Sequence, residues 1–375
     1  MSNRKKPELT GRNGSVGSTT AFRILAINPG STSTKLSLFE AESEKMQHTV
    51  SHPAAQLKPF QRIVDQSEFR LNLVCTFLSS QSIGLKSLQA VVARGGLLKP
   101  IPSGVYAVNK AMLDDLLVAR FGEHASNLGA VLAHRIAQEA GCPAYIVDPV
   151  VVDEMEDIAR FSGLPELRRK SIFHALNHKS AARAAARIIG KAYEESCIIV
   201  AHMGGGISVG AHRNGRVIDV NNALDGDGPF APERSGSLPV GQLVNLCFSG
   251  SVTLAEMKRK LVGGGGLVAY RGSNSFTELK KAVDNGDAKA VLLYEAMAYK
   301  VSQEIAKHSA TLKGRIDCIV LTGGLANDDT FTAKIIERVR HLASVQVIPG
   351  EREMLSLARG ALAVLAKREK PMEYT

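Results

Sequence analysis

Twice in this chain, about 175 residues apart, an apolar run stops at small polar residues and then resumes as a strand. In the first, Ile24, Leu25 and Ile27 lead into Asn28, Pro29, Gly30 and a serine-rich turn, after which the chain continues as "LSLF" (36–39). In the second, Ile198 to Val200 runs on to Gly204, Gly205 and Gly206, and "ISVGAH" (207–212) follows. Asn214-Gly215 then marks a tight hairpin into a third strand. The repetition predicts two copies of one supersecondary plan, divided within residues 150–195.

Helix and strand patterns alternate through the rest. Residues 124–140 suit a helix stopped by Gly141-Cys142-Pro143, and "AYIVD" (144–148) a short buried strand. Leu293, Met297, Val301 and Ile305 recur at helical spacing, and "IDCIVLTGG" (316–324) reads as a buried strand entering a glycine turn. "VQVIPG" is a further strand, and a last helix covers about 352–368. Alternation of this kind predicts two α/β domains with a cleft between them. The boundaries are set at 21–190 and 191–375, with the last helix able to pack back on the first domain.

A length of 375 residues fits two domains, and 45% hydrophobic with 22% charged residues fits a globular chain. No run of eighteen apolar residues is present, which argues against a membrane helix. Residues 1–20 are basic and rich in glycine and serine without an apolar stretch, so they read as a disordered tail, not a secretory signal. Cys75, Cys142, Cys197, Cys247 and Cys318 are scattered without paired spacing, which suits reduced thiols in a cytoplasmic protein and no zinc site. The net charge of +10 comes partly from the tail, and no basic stripe carries interleaved aromatics. An anionic small substrate accounts for the arginines better than nucleic acid does.

Three glycine or serine turns follow buried strands: "NPGSTSTK", "HMGGGIS" and "LTGGLAN". Without side chains in the way, backbone N–H groups there can approach an anion. Neither a Walker sequence nor a G-x-G-x-x-G at a strand-to-helix junction is present, and the first two turns join strand to strand. That leaves phosphate binding without a P-loop or a dinucleotide fold. In these turns Asn28, Ser31, Ser33 and Lys35 offer amide, hydroxyl and ammonium groups, as do His202, Gly204, Gly205, Gly206, Gly323 and Gly324 along the other two. Lys35 also fits a solvated strand lysine.

"LAINPGSTSTK" and "AHMGGGIS" resemble the two phosphate motifs of the acetate and butyrate kinase family. "DGDGPFAPERSG" (225–236), "FHALNH" (173–178), "EHASNLGA" (123–130) and "VARGGLLKPI" (92–101) resemble its butyrate kinase branch, in the family order. The resemblance implies two ribonuclease-H-like domains of the actin-like ATPase fold. It also implies ATP or ADP and Mg²⁺ as cofactors, and transfer of phosphoryl between nucleotide and a short-chain carboxylate to give an acyl phosphate. A homodimer or larger homo-oligomer is the family expectation, with no nucleic-acid or membrane partner.

Arg234, on a loop between proline and glycine, suits a fork clamping the transferring phosphoryl. By resemblance, Arg94 is a second anion-binding arginine, although acetate kinases carry theirs at the position of Val91. His174 is the family imidazole that donates to the phosphoryl and His124 a further active-site histidine, whereas His178 also fits a structural role. Asp148, with Asn28, is implied on the magnesium side, and either Glu351 or Glu353 as the magnesium-linked glutamate. Phe173 is placed in the acyl pocket. Ser275 and Thr277 stand where family members usually carry Asp and Arg, which keeps open a nucleotide-binding regulator or degenerate kinase without turnover.

Overall fold

The computed structural model describes residues 22–375; the basic segment 1–20 lies outside the described residues. The strands form two sheets. The first holds β1 (Arg23–Pro29), β2 (Ser33–Glu40), β3 (Ser43–Ser51), β4 (Ala90–Arg94), β5 (Val105–Ala107) and β6 (Ala144–Val147), in the order β3-β2-β1-β4-β6-β5. The second holds β7 (Cys197–Met203), β8 (Ile207–Arg213), β9 (Arg216–Val220), β10 (Cys318–Gly323) and β11 (Val345–Pro349), in the order β11-β10-β7-β8-β9. Around them lie α1 (Ala54–Leu57), α2 (Ser67–Ser80), α3 (Lys110–Leu117), α4 (Asn127–Ala140), α5 (Ala175–Ile188) and α6 (Val240–Phe248). The remaining helices are α7 (Leu254–Leu261), α8 (Leu267–Arg271), α9 (Phe276–Asp284), α10 (Ala288–Thr311), α11 (Asp329–Val339) and α12 (Glu353–Leu365).

The duplication read from the turns extends to topology. In each sheet three antiparallel strands (β1-β2-β3 and β7-β8-β9) are followed across the first strand by two parallel ones (β4, β6 and β10, β11). This is the expected pair of ribonuclease-H-like α/β domains; β5 adds an antiparallel edge to the first.

The central strands are apolar on both sides because both faces are covered. In β1, Leu25 and Ile27 enter the core shared with α2 and α4, while Ile24 and Ala26 face Leu357, Ala358 and Ala361 of α12. In the second domain, Ile199 and Ala201 pack toward α10 and α11, and Ile198 and Val200 toward the alanines of α5. Burying each large side chain contributes about 1.5–3 kcal/mol. Helices α5 and α12 therefore form the middle layer between the sheets, and Leu176 of α5 joins the α12 core. The phosphate-type turns lie at the ends of β1, β7 and β10.

One boundary differs from the sequence reading in a way that matters. The helix expected from residue 124 starts at Asn127, because His124, Ala125 and Ser126 form a preceding turn in which Ser126 Oγ and its backbone N–H meet His124 Nδ1. That turn keeps His124 off the helix and directs its ring to the cleft. The cysteines are free: Cys318 is buried and Cys247 exposed. No helix among the described residues is long and apolar enough to cross a membrane.

Candidate active site

The first turn is shaped by a residue that its sequence neighbourhood does not advertise. Arg70 of α2 is fully buried and donates to the carbonyl oxygens of Gly30 (2.7 Å), Ser31 (3.0 Å) and Ser33 (3.2 Å). Gln66 holds the guanidinium from behind. With its carbonyls engaged and Gly30 N–H closing on Ser33 O at 2.7 Å, the turn is fixed before any ligand arrives. Asn28, at the end of β1, donates from Nδ2 to Glu353 Oε2 at 2.5 Å. Ser31 is exposed, and Lys35, opposite Asn28 in the β1–β2 register, is half-buried with no ion pair among the described residues.

The second and third turns are interlocked. Gly204 N–H bonds to Gly206 O at 3.0 Å, and Glu233 N–H to Gly205 O at 3.1 Å, tying the β7–β8 turn to the arginine loop. Gly323 has φ +91°, and a side-chain carbon there would lie 2.4 Å from Met203 O, so only glycine lets β10 meet β7 at this point. Gly266, with φ +61°, is tighter still: a Cβ would sit 1.6 Å from Ala231 O and 2.7 Å from Arg234 O. It is the seat of the Arg234 loop. Gly324 follows at the start of a short 3-10 turn.

Between the domains lies a cavity of about 80 Å³. Its polar lining is Arg94, His124, His174, Gly206 and Arg234. The rest of its lining is apolar: Leu97, Val150, Ile172, Phe173, Ala223 and Leu224. Arg94 lies 3.6 Å from Glu353, whose carboxylate is buried at the start of α12 between Arg94 and Asn28. Among the described residues the Arg234 guanidinium bonds only to Glu233, through the backbone oxygen at 3.1 Å and a long 3.4 Å contact to Oε2, and its Nε is buried without a partner. Glu351 is at the rim, 3.6 Å from His202.

His174 occupies the position just before α5, and its ring stacks on that of His202 with centroids 3.9 Å apart. Burial, reinforced by the neighbouring His202 ring and Arg94, holds His174 well below the usual imidazole range. Burial likewise lowers His202 to about 4, against an opposing pull from Glu353, and lowers His124 to about 4 with help from Arg94 and Arg234. The cleft histidines are therefore neutral at pH 7, and its positive charge resides on the two arginines.

Buried His178, His202 and His212, and His174, half-buried beside the cavity, share this lowering. The unfolded chain takes up their protons below pH 6.5 while the folded chain does not, so stability falls with falling pH. Each contributes a slope of about 1.4 kcal/mol per pH unit in that window, which for His202 ends near its folded value of about 4. Urea unfolding at steps from pH 7.5 to 5 is expected to show the steep loss below 6.5; a flat profile would mean that these rings carry charge in the fold.

Asp148 is the carboxylate that the resemblance implies on the magnesium side. It follows β6, whose last residue pairs with Arg94, and its backbone is left-handed (φ +40°). Its Oδ1 accepts from Ser103 Oγ (2.6 Å) and Gly104 N–H (2.9 Å), and it lines a separate cavity between α5 and α12. Among the described residues no hydrogen bond joins it to Asn28 or Glu353. The sequence reading also missed Glu233, held between Gly205 and Asn274, and Asn177, whose Nδ2 meets His202 Nδ1 at 2.6 Å. Ser275 caps α9 by accepting from Glu278 N–H, which gives that serine a local use.

Two duplicated domains, glycine turns at three strand ends, and arginines with neutral imidazoles around one cleft define a class: phosphotransferases of the actin-like ATPase fold. Residues 165–370 match the model of the acetokinase family. The chain is 52% identical over 353 residues to butyrate kinase 2 of Clostridium acetobutylicum, covering 94% of this chain and 99% of that protein. Among solved structures it is similar to Porphyromonas gingivalis acetate kinase (TM-score 0.74, 20% identity, 92% of this chain and 100% of that one). A propionate kinase from Francisella tularensis is also similar (TM-score 0.72, 19% identity, 90% and 98%); at these identities the structures speak for the fold. The chain belongs to the acetokinase family.

Proposed function

We propose that the chain is a short-chain carboxylate kinase that converts ATP and butyrate, or a branched acid of similar size, to ADP and the acyl phosphate. The observation that carries this reading is one cavity lined by two arginines and two neutral histidines together with six apolar side chains. A carboxylate head with a short alkyl tail matches that division.

The glycine turns and Asn28 hold the nucleotide phosphates through N–H and amide donors. The alkyl chain lies against Phe173, Ile172 and Ala223, which leaves the carboxylate beside Arg94 and in line with the terminal phosphoryl. One carboxylate oxygen forms the new P–O bond as the bond to the ADP oxygen breaks, with Arg234 forked on the equatorial oxygens and His174 donating to them. Asn28 and Glu353 supply the hard oxygen donors that suit Mg²⁺, with Glu351 nearby. When bound, the ion would neutralise phosphate charge. Asp148 is left out of this set.

Acyl preference offers a direct test. Ala223 lines the apolar wall, and Ala223→Leu should fill the space of the outer methylenes. Its kcat/KM ratio for butyrate over acetate is expected to fall about 10–100-fold in an ADP-release assay. A ratio unchanged from the native chain would remove this wall from the acyl site.

The same proposal includes a cytoplasmic homodimer. Helix α6 buries none of its residues and leaves Val240 (71%) and Phe248 (87%) exposed, an apolar face suited to a second copy. Sedimentation velocity is expected to give a dimer for the native chain and a monomer for Phe248→Glu; a native monomer would remove this part of the proposal.

A further inference from the structure

Behind His174 a line of buried polar side chains leaves the cleft. His174 Nδ1 lies 2.9 Å from Ser208 Oγ, and the same hydroxyl lies 2.8 Å from His178 Nε2. His178 Nδ1 is 3.2 Å from His212 Nε2, and His212 Nδ1 is 2.9 Å from the phenol oxygen of Tyr193. Ser208, His178 and His212 have no exposed surface, and Tyr193 is also buried.

Each link holds one proton, so a neutral line of this kind is self-consistent in only two ways, all donors pointing inward or all outward. Two observations select one. His178 Nε2 also meets the backbone oxygen of Ser208 at 3.2 Å, and a carbonyl oxygen only accepts, so the proton of His178 is on Nε2. The Tyr193 hydroxyl has His212 as its hydrogen-bond partner and no other among the described residues, so its proton is used only by donation to His212 Nδ1. From there the order is forced. His212 Nε2–H donates to His178 Nδ1, His178 Nε2–H to Ser208, and Ser208 O–H to His174 Nδ1.

We infer that Tyr193, His212, His178 and Ser208 are positioning residues that hold His174 in the Nε2–H tautomer, so that it meets the transferring phosphoryl as a neutral hydrogen-bond donor. A ring nitrogen that accepts on one edge must carry its proton on the other. The stacked neighbour reaches the same state by a shorter route: Asn177 Nδ2 donates to His202 Nδ1, which leaves His202 Nε2, buried and without a partner among the described residues, as an N–H toward the Gly204 turn. Burial keeps Tyr193 protonated and His178 and His212 neutral, as the relay requires.

The role rests on His174 facing the phosphoryl as proposed above, but the tautomer does not, and the test separates them. Long-range proton–nitrogen correlation on ¹⁵N-labelled protein is expected to show His174 with a bare Nδ1 and a protonated Nε2. Tyr193→Phe, which removes one hydroxyl, should move His174 toward a mixture of both tautomers and lower kcat about tenfold with the KM for ATP unchanged. Ser208→Ala should do the same and Ser208→Thr should keep the native state, which decides the matter if Tyr193→Phe does not fold. A protonated Nδ1 in the native chain, or an unaltered His174 in Tyr193→Phe or Ser208→Ala, overturns the relay. The expected tautomers in a protein without kinase activity would uphold the relay and reject the functional reading.

Discussion

Arg234→Ala is expected to lower kcat about 10³-fold, equivalent to ~4 kcal/mol of barrier, while thermal unfolding stays close to that of the native chain. The separation follows from what Arg234 touches. Its hydrogen bonds go to the backbone and side chain of its own neighbour Glu233, so few structural contacts are lost with it. Its Nε is buried and without a partner among the described residues, a donor held in reserve at the edge of the cavity. Charge that spreads over the equatorial oxygens in the transition state is what such a fork stabilises, whereas the substrate ground state asks less of it. Arg234→Lys should recover little, because one ammonium cannot span two oxygens. A variant with kcat within tenfold of native, or one that simply unfolds, would contradict the clamp.

Glu353→Gln should cost about 10²-fold in kcat and raise the magnesium concentration for half-maximal rate roughly tenfold, while Glu351→Gln changes either by less than about threefold. The two glutamates are two residues apart but differ in setting. Glu353 is buried at the first turn of α12, against Asn28 and 3.6 Å from Arg94. Glu351 is 40% exposed and faces a histidine that is neutral. The glutamine keeps the shape of Glu353 and removes only its charge, so a loss reports the charge. Metal titration of the initial rate on both variants separates them; a larger effect at Glu351 would move the cation to the rim.

The duplicated plan was legible because buried strands and glycine turns are local features: Ile24–Ile27 and Ile198–Val200 are apolar on both faces, and the turns must lack side chains. Histidine and arginine positions in the cleft were reached through motif resemblance. What escaped was set by tertiary contact. Arg70 sits in a helix with little amphipathic pattern, and nothing nearby in sequence signals that it holds the turn of residues 30–33. Ser208 and Tyr193 matter only because α5 lays His178 between Ser208, which meets His174, and His212, which meets Tyr193. Asp148's place at a strand end was legible, but its left-handed backbone and its hydrogen bond to Ser103 were not. The choice between Glu351 and Glu353 depended on where α12 begins, a boundary that periodicity leaves uncertain by a residue or two.

The central claim is that the cavity between Arg94 and Arg234 transfers phosphoryl from ATP to a short-chain carboxylate. Its most direct test is acyl-hydroxamate formation from ATP, Mg²⁺ and hydroxylamine with acetate, propionate, butyrate, isobutyrate and valerate in turn. The account predicts hydroxamate with a maximum at four or five carbons. Absence of product with every acid, from folded protein that binds ATP, would contradict it.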